Sequence, residues 1–264
     1  VKKELWLGVI EKGIDIVHFK NNTITHLNIN TYPIKSIVKN SVNEIIKDKQ
    51  ENIWIATTDG ILKFDPTRKQ IKVINDQEPL DLKLPFTKAW GAHIDEKKHL
   101  WVGGNEINTG IVEVDQVNKK LTKYLFEKTQ TKAPLWKIVG DAKNNIWAYR
   151  TAVRLNEGND ILKKNNNETQ FKKVANSNQF EGKAQQLNSF QTYLTENKSL
   201  ISGGKPSFLM SDSNGKTVIK PYERLKALED QFIHSFYNNG KHLTYVLTEN
   251  NIYTWNEHTN EIKL

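Results

Sequence analysis

Residues able to perform acid–base chemistry are thinly spread in this chain. Seven histidines (His18, His26, His93, His99, His234, His242 and His258) are scattered over 264 residues, and there is no Cys. Without thiols there is neither a disulfide framework nor a thiolate metal site. No H-E-x-x-H, G-x-S-x-G, Walker loop or EF-hand ladder occurs. No catalytic residue, metal ligand or cofactor is therefore expected. The stretch "SDSNGKT" (211–217) reads as a hairpin turn rather than a calcium loop. His93 with Glu106 as acid and base is the one combination that keeps a lyase or hydrolase open as an alternative.

Residues suited to binding are better represented. Trp90, Trp136 and Phe190 are aromatics at related positions, as the repeats below establish. Asn105, Glu106 and Asn108 lie in "GGNEINTG", Tyr149, Arg150 and Arg154 in "YRTAVR", and Lys205 in "GGKPS". Together with His93 they offer ring faces for stacking, amides for hydroxyls, and cations for a uronate or sulfate. Such a set suits a small molecule or an oligosaccharide, acidic sugars included.

Charge narrows the partners. The formal net charge of +8 comes almost entirely from Lys; only Arg68, Arg150, Arg154 and Arg224 are Arg. Nucleic-acid readers favour Arg forks, and no dense basic cluster occurs, so no nucleic-acid partner is expected. No apolar run reaches 18 residues, so nothing in this segment is expected to be membrane-embedded. The opening "VKKELWLG" is not a signal peptide and lacks an initiator Met, and it reads as the start of a mature or excised piece.

The elements that must position these residues are repeats. Hydrophobic content is 37% with 9% aromatics, which suits short strands with one buried face better than thick helical layers. "ELWLG", "NIWIAT", "HLWVGG" and "NIWAYR" place Trp6, Trp54, Trp101 and Trp147 at intervals of 46 to 48 residues. Two worn copies follow, "SLISGG" with Ile201 and "HLTYVLT" with Thr244 at the Trp position. The second copy spells four strands: "VNEIIKD", "ENIWIATT", "GILKFD" and "QIKVIN", here named A to D. Asp59-Gly60 and Asp65-Pro66 turn the chain between them. The polar stretches 156–170 and 176–188 read as long excursions. "YERLKALEDQF" (222–232) is the one helical candidate.

A period of about 45 residues with four strands per copy predicts an all-β fold, a β-propeller of four-stranded antiparallel blades. The prediction is one domain, 1–264, with six blades at about 1–40, 41–85, 86–132, 133–183, 184–229 and 230–264. The first blade lacks its inner strand A. It is therefore either three-stranded or part of a larger propeller, and an unpaired edge there would be an association hazard. Each Trp sits mid-strand among aliphatics, once per copy, and is expected to pack between blades rather than bind a ligand. Eleven residues before each Trp position stand Asn43, Trp90, Trp136, Phe190 and Ile233. These mark the start of strand A, where neighbouring aromatics can form a stacking wall.

The phrase "IIKDKQENIWIATTDGILKFDPTRKQIKVI" resembles the two-component regulator propeller repeat. Asp48, Asn52, Trp54, Thr57, Gly60, Ile61, Phe64 and Asp65 match its pattern, with Ala56 in place of a Gly. Asp95, Trp101, Gly103, Gly110, Ile111 and Asp115 match in the third copy, and Asp141, Asn145 and Trp147 in the fourth. The resemblance is specific over about 1–150 and weak beyond. It implies a sensor propeller from the periplasmic part of hybrid histidine kinases and related regulators, many of which respond to glycans. On that basis the chain is expected to be periplasmic or at the cell surface, non-catalytic, and linked to a ligand, a protein partner or signalling domains of the same chain. A protein-interaction scaffold is the alternative.

Overall fold

The structure is a computed structural model that describes residues 4–9, 13–27, 42–68, 70–74, 83–104, 110–124, 135–150, 159–176, 192–238 and 242–264. It is an all-β, six-bladed propeller fold in which every sheet is antiparallel and follows chain order. Among the described residues blade one has three strands, β1 (Glu4–Val9), β2 (Gly13–His18) and β3 (Thr23–Leu27), and no strand A. Blade two holds β4 (Val42–Lys47), β5 (Ile53–Thr57), β6 (Gly60–Asp65) and β7 (Gln70–Ile74). Blade three holds β8 (Ala89–Ile94), β9 (Leu100–Gly104), β10 (Ile111–Asp115) and β11 (Lys120–Tyr124). Blade four holds β12 (Leu135–Gly140), β13 (Ile146–Arg150), β14 (Asp160–Lys164) and β15 (Lys172–Asn176). Blade five holds β16 (Thr192–Leu194), β17 (Leu200–Ser202), β18 (Phe208–Ser211) and β19 (Thr217–Pro221). Blade six holds β20 (Ile233–Asn238), β21 (Leu243–Thr248), β22 (Ile252–Asn256) and β23 (Ile262–Lys263).

The chain divides into two compact units, Val1–Leu135 with blades one to three and Trp136–Leu264 with blades four to six. In the first unit, β5 is buried on both faces because its side chains alternate. Ile53 and Ile55 meet Ile14 and Ile16 of blade one, with Trp6 and Leu27 against them. Trp54 and Ala56 point the other way, onto Ala89, Ala92, Leu100 and Val102 of blade three. In the second unit, Trp147, Tyr149 and Ile161 meet Leu200, Phe208 and Met210. Ile201 in turn meets Ile233, Val246 and Trp255. In blades one, two, four and five the Trp position thus packs onto the following blade, and each buried indole contributes about 4 kcal/mol by area. Within each unit, adjacent blades also meet at their A strands, β4 against β8 and β16 against β20.

Three sequence readings are corrected or narrowed. The polar stretch 156–170 is not an excursion throughout: Asp160–Lys164 is the buried third strand of blade four. Its polar letters mislead because Ile161 and Leu162 enter the core, while the Lys163 ammonium lies 4.7 Å over the Trp147 ring and donates to the Gly215 carbonyl at 2.6 Å. The stretch 176–188 lies, beyond its first residue, outside the described residues. The helical candidate shortens to a 3-10 turn, Glu223–Leu228, whose Leu225 and Leu228 fill the core between blades five and six.

The third correction concerns blade six. Thr244 pairs with Trp255 as Ile53 pairs with Phe64 and Leu100 with Val114, so Thr244 and Val246 face blade five. The residue on the Trp face is Tyr245. A one-residue slip exchanges the faces of a strand, and the buried set Thr244, Val246 and Thr248 decides the register.

Candidate functional site

The four recurring indoles are structural, and the acidic residue six positions before three of them explains why. In blade two, Asp48 Oδ1 accepts the amides of Gln50 (2.9 Å) and Asn52 (2.8 Å), while Oδ2 accepts Trp54 Nε1 (2.9 Å) and Asn52 Nδ2 (2.8 Å). Asp95 takes the His99 amide and Trp101 Nε1, both at 2.9 Å. Asp141 takes the Lys143 amide and Trp147 Nε1 at 2.9 Å and the Asn145 amide at 3.1 Å. One carboxylate thus closes the A–B turn and satisfies a buried indole N–H. Burial alone would raise the Asp48 carboxyl, but the donors from Trp54, Asn52 and Gln50 outweigh it and hold the group below its ordinary value. Trp6 lacks this clamp among the described residues and rests 5.3 Å from the Phe64 ring.

The strand-A column is marked by a backbone irregularity. Pairing slips between Val42 and Glu44 in β4, between Ala89 and Gly91 in β8, and between Ile233 and Ser235 in β20. The residues carried on these bulges are Asn43, Trp90 and His234. With blade six in its corrected register, His234 stands eleven residues before Tyr245 and replaces Ile233 in the column. A bulge re-aims its side chain out of the alternating pattern. The backbone flanking Trp90 is further tied to β4 of blade two. Asn43 Nδ2 donates to Ala89 O at 2.7 Å, and Glu44 Oε2 accepts the Ala92 amide at 2.9 Å. Trp90 and His93 on the same strand are both half-buried.

The remaining predicted positions distribute unevenly. The blade-three B–C loop leaves β9 at Gly104, which pairs with Ala89 beside Trp90. A Cβ at Gly104 would meet Phe86 ring carbon at 2.4 Å, so the aromatic packs directly on the backbone where this loop starts. Asn105, Glu106, Asn108, Arg154 and Phe190 lie outside the described residues, as does the side chain of Trp136 in β12. Tyr149 is buried, and burial pushes its hydroxyl well above the ordinary phenol range. Arg150 is ion-paired with Asp160, which also binds Lys173 Nζ (2.6 Å) and Asn176 Nδ2 (2.8 Å). Burial would raise the Asp160 carboxyl, yet Lys173, Asn176 and Arg150 together hold it below its ordinary value. Tyr149 thus packs against blade five and Arg150 pairs within blade four, whereas Lys205 is exposed.

Two His–carboxylate groups were not legible in the sequence. In the first unit, His99 Nδ1 lies 2.6 Å from Glu113 Oε1, and the Tyr124 hydroxyl donates to Glu113 Oε2 at 2.5 Å. In the second unit, Glu196 meets both His242 and His258. No spacing signal could have found the latter, because Glu196 and His242 are 46 residues apart and belong to different blades.

No family model and no curated protein matches the chain. Solved structures do match in fold. The extracellular domain of a putative hybrid two-component system from B. thetaiotaomicron is 16% identical at a TM-score of 0.66, over 98% of this chain and 34% of that one. PorZ, a surface component of the type-IX secretion system of Porphyromonas gingivalis, is 11% identical at a TM-score of 0.70, over 99% of this chain and 40% of that one. A gluconolactonase from Xanthomonas campestris is 9% identical at a TM-score of 0.50, over 79% of this chain and 69% of that one. At these identities the likeness is one of fold, and the chain spans between a third and two fifths of the first two. It agrees with the propeller fold that the repeated Trp phrases predict. Among the described residues no helix is long and apolar enough to cross a membrane.

Proposed function

We propose that the chain is an extracytoplasmic, non-catalytic ligand-binding propeller of the sensor type, and that its ligand is an oligosaccharide, acidic sugars included. The observation that carries this reading is Trp90, a half-buried indole set on a strand-A bulge whose flanking backbone is tied to blade two by two hydrogen bonds. A rigidly backed indole face supplies stacking area to a sugar ring at little entropic cost. His93 on the same strand, and Asn105, Glu106 and Asn108 in the adjoining B–C loop, supply polar contacts in the first unit. In the second unit, Trp136, Phe190, Arg154 and Lys205 are separate candidates, on sequence register and charge alone. The extracellular two-component domain among the solved structures supports the location and the sensor role, and the parent protein would carry signalling segments beyond this chain.

A thermal-shift screen of neutral, uronate-containing and sulfated oligosaccharides tests the reading. An acidic oligosaccharide is expected to raise the unfolding midpoint of the wild type and to leave Trp90→Ala with Trp136→Ala unchanged. An equal shift in the double variant rejects the site, and no shift with any compound rejects the ligand class.

One observation favours a protein-docking scaffold as the second reading. Tyr237 pairs with Tyr245 and Leu247 with Ile252, which sets four large exposed side chains on one face of blade six. Co-purification of a partner that is lost in Tyr245→Ser with Leu247→Ser would favour it.

A further inference from the structure

We propose that Glu196, His242 and His258 form a binding site for one divalent transition cation of the zinc class. Glu196 lies in the turn between β16 and β17, His242 directly before β21, and His258 in the turn between β22 and β23. His242 Nδ1 and His258 Nε2 reach the same atom, Glu196 Oε2, at 2.8 Å and 2.9 Å. The three ligand atoms all lie within 4.8 Å of one another. The ring centroids are 4.0 Å apart with planes at 53°, so the rings converge by their nitrogen tips rather than stack.

The arrangement is preorganised through one buried residue, Glu257. Its carboxylate accepts the Glu196 amide at 2.8 Å, and its own amide donates to the His242 carbonyl at 3.1 Å. It also immediately precedes His258, whose amide is fixed on Asn256 Oδ1 at 2.9 Å. Glu257 is itself locked by the hydroxyls of Tyr193 and, at 2.7 Å, Thr244. The backbones of all three ligands are therefore anchored while their side chains face solvent, the histidines at 62% and 61% exposure. Supporting bonds of this kind commonly set metal affinity.

A cation there is held by the two ring nitrogens in deprotonated form together with Glu196 Oε2. Tetrahedral bonds of about 2.0–2.1 Å separate ligand atoms by about 3.3 Å, so each nitrogen–oxygen pair must open by roughly half an ångström. Small rotations of exposed side chains supply that. Two imidazoles and one carboxylate suit Zn2+, Co2+ or Ni2+ rather than Ca2+ or Mg2+, which take oxygen ligands. Three protein ligands leave a coordination position for water or an exogenous anion. The group around His99 differs in that Asp95 Oδ2 already accepts Trp101 and Glu113 Oε2 already accepts Tyr124. It provides an internal control.

The test uses the chain without a polyhistidine tag, stripped with EDTA and desalted. Calorimetric titration with Zn2+ and Co2+ absorption spectra are recorded for the wild type, His258→Gln, Glu196→Gln and His99→Gln. One equivalent is expected to bind the wild type and His99→Gln alike, at least about tenfold more weakly in the other two variants. Metal-free unfolding midpoints of all variants should match the wild type, which separates lost ligation from lost folding. Binding unchanged in His258→Gln and Glu196→Gln, binding lost in His99→Gln, or no saturable binding to the wild type would each overturn the proposal.

Discussion

The A–B turn is built in two different ways within one chain. In blades two to four an Asp closes the turn and receives the N–H of the Trp six residues on. In blade five the Trp position is Ile201, and the residue six before it is Thr195. There the hydroxyl closes the turn, accepting the Ser199 amide at 3.0 Å, and Asn197 Oδ1 shares that amide at 3.2 Å. The two changes belong together: without an indole N–H to satisfy, a buried carboxylate would lose its strongest partner. The volume lost from Trp to Ile is refilled by Tyr222, Leu225, Leu228 and Trp255. The carboxylate itself reappears as Glu257, bridging blades five and six through Tyr193, Thr244 and Glu196. The buried turn carboxylate is thus satisfied locally in blades two to four, and across the blade interface where Glu257 carries it.

The largest effect should separate the two turn designs directly. Asp141→Ala strips the acceptor from an indole and two turn amides, and is expected to cost about 3 kcal/mol of unfolding free energy. Thr195→Ala removes one hydroxyl and should cost about 1 kcal/mol. Equal denaturant midpoints for the two variants would break the comparison.

Next comes Glu257→Gln, which keeps one acceptor oxygen but replaces the other with a donor. With the Glu196 amide and two hydroxyls arranged around a carboxylate, the expected cost is about 1–2 kcal/mol, again from denaturant midpoints. Trp54→Phe keeps the ring contacts and deletes only the N–H bond to Asp48, for about 1 kcal/mol.

Acid should act on the Asp48 turn and not on the Thr195 turn. The folded Asp48 carboxyl lies below its ordinary 3.8. Its stabilisation is therefore complete above that value and lost as pH falls through the lower folded value. Thermal midpoints measured from about pH 5 down to about pH 3 should decline less steeply in Asp48→Asn than in the wild type. Thr195→Ala should retain the wild-type decline. Smallest of all, Val117→Lys at an exposed turn should fall within about 0.5 kcal/mol of the wild type.

The legible parts of this protein are those written within a few residues. Asp48 and Trp54 are six apart, Asp65 accepts the Thr67 and Arg68 amides, and Asp115 accepts those of Val117 and Asn118. Such short-range chemistry repeats with the blade, so it could be read as a period. Trp90 was found by counting back from the Trp, although the bulge that aims it was not. The blade-six register failed because "HLTYVLT" looks like "HLWVGG", and only the buried face of β21 decides between two alignments one residue apart.

By itself, then, the sequence determined the blade plan, the turns and the structural role of the indoles, because alternation and turn chemistry act over two to six residues. Only the tertiary structure decided that a polar stretch holds the buried strand Asp160–Lys164. It alone placed His234 in the Trp90 column and brought Glu196, His242 and His258 to one point. Those outcomes depend on contacts between blades, where partners stand a full repeat apart and packing, not local periodicity, selects them.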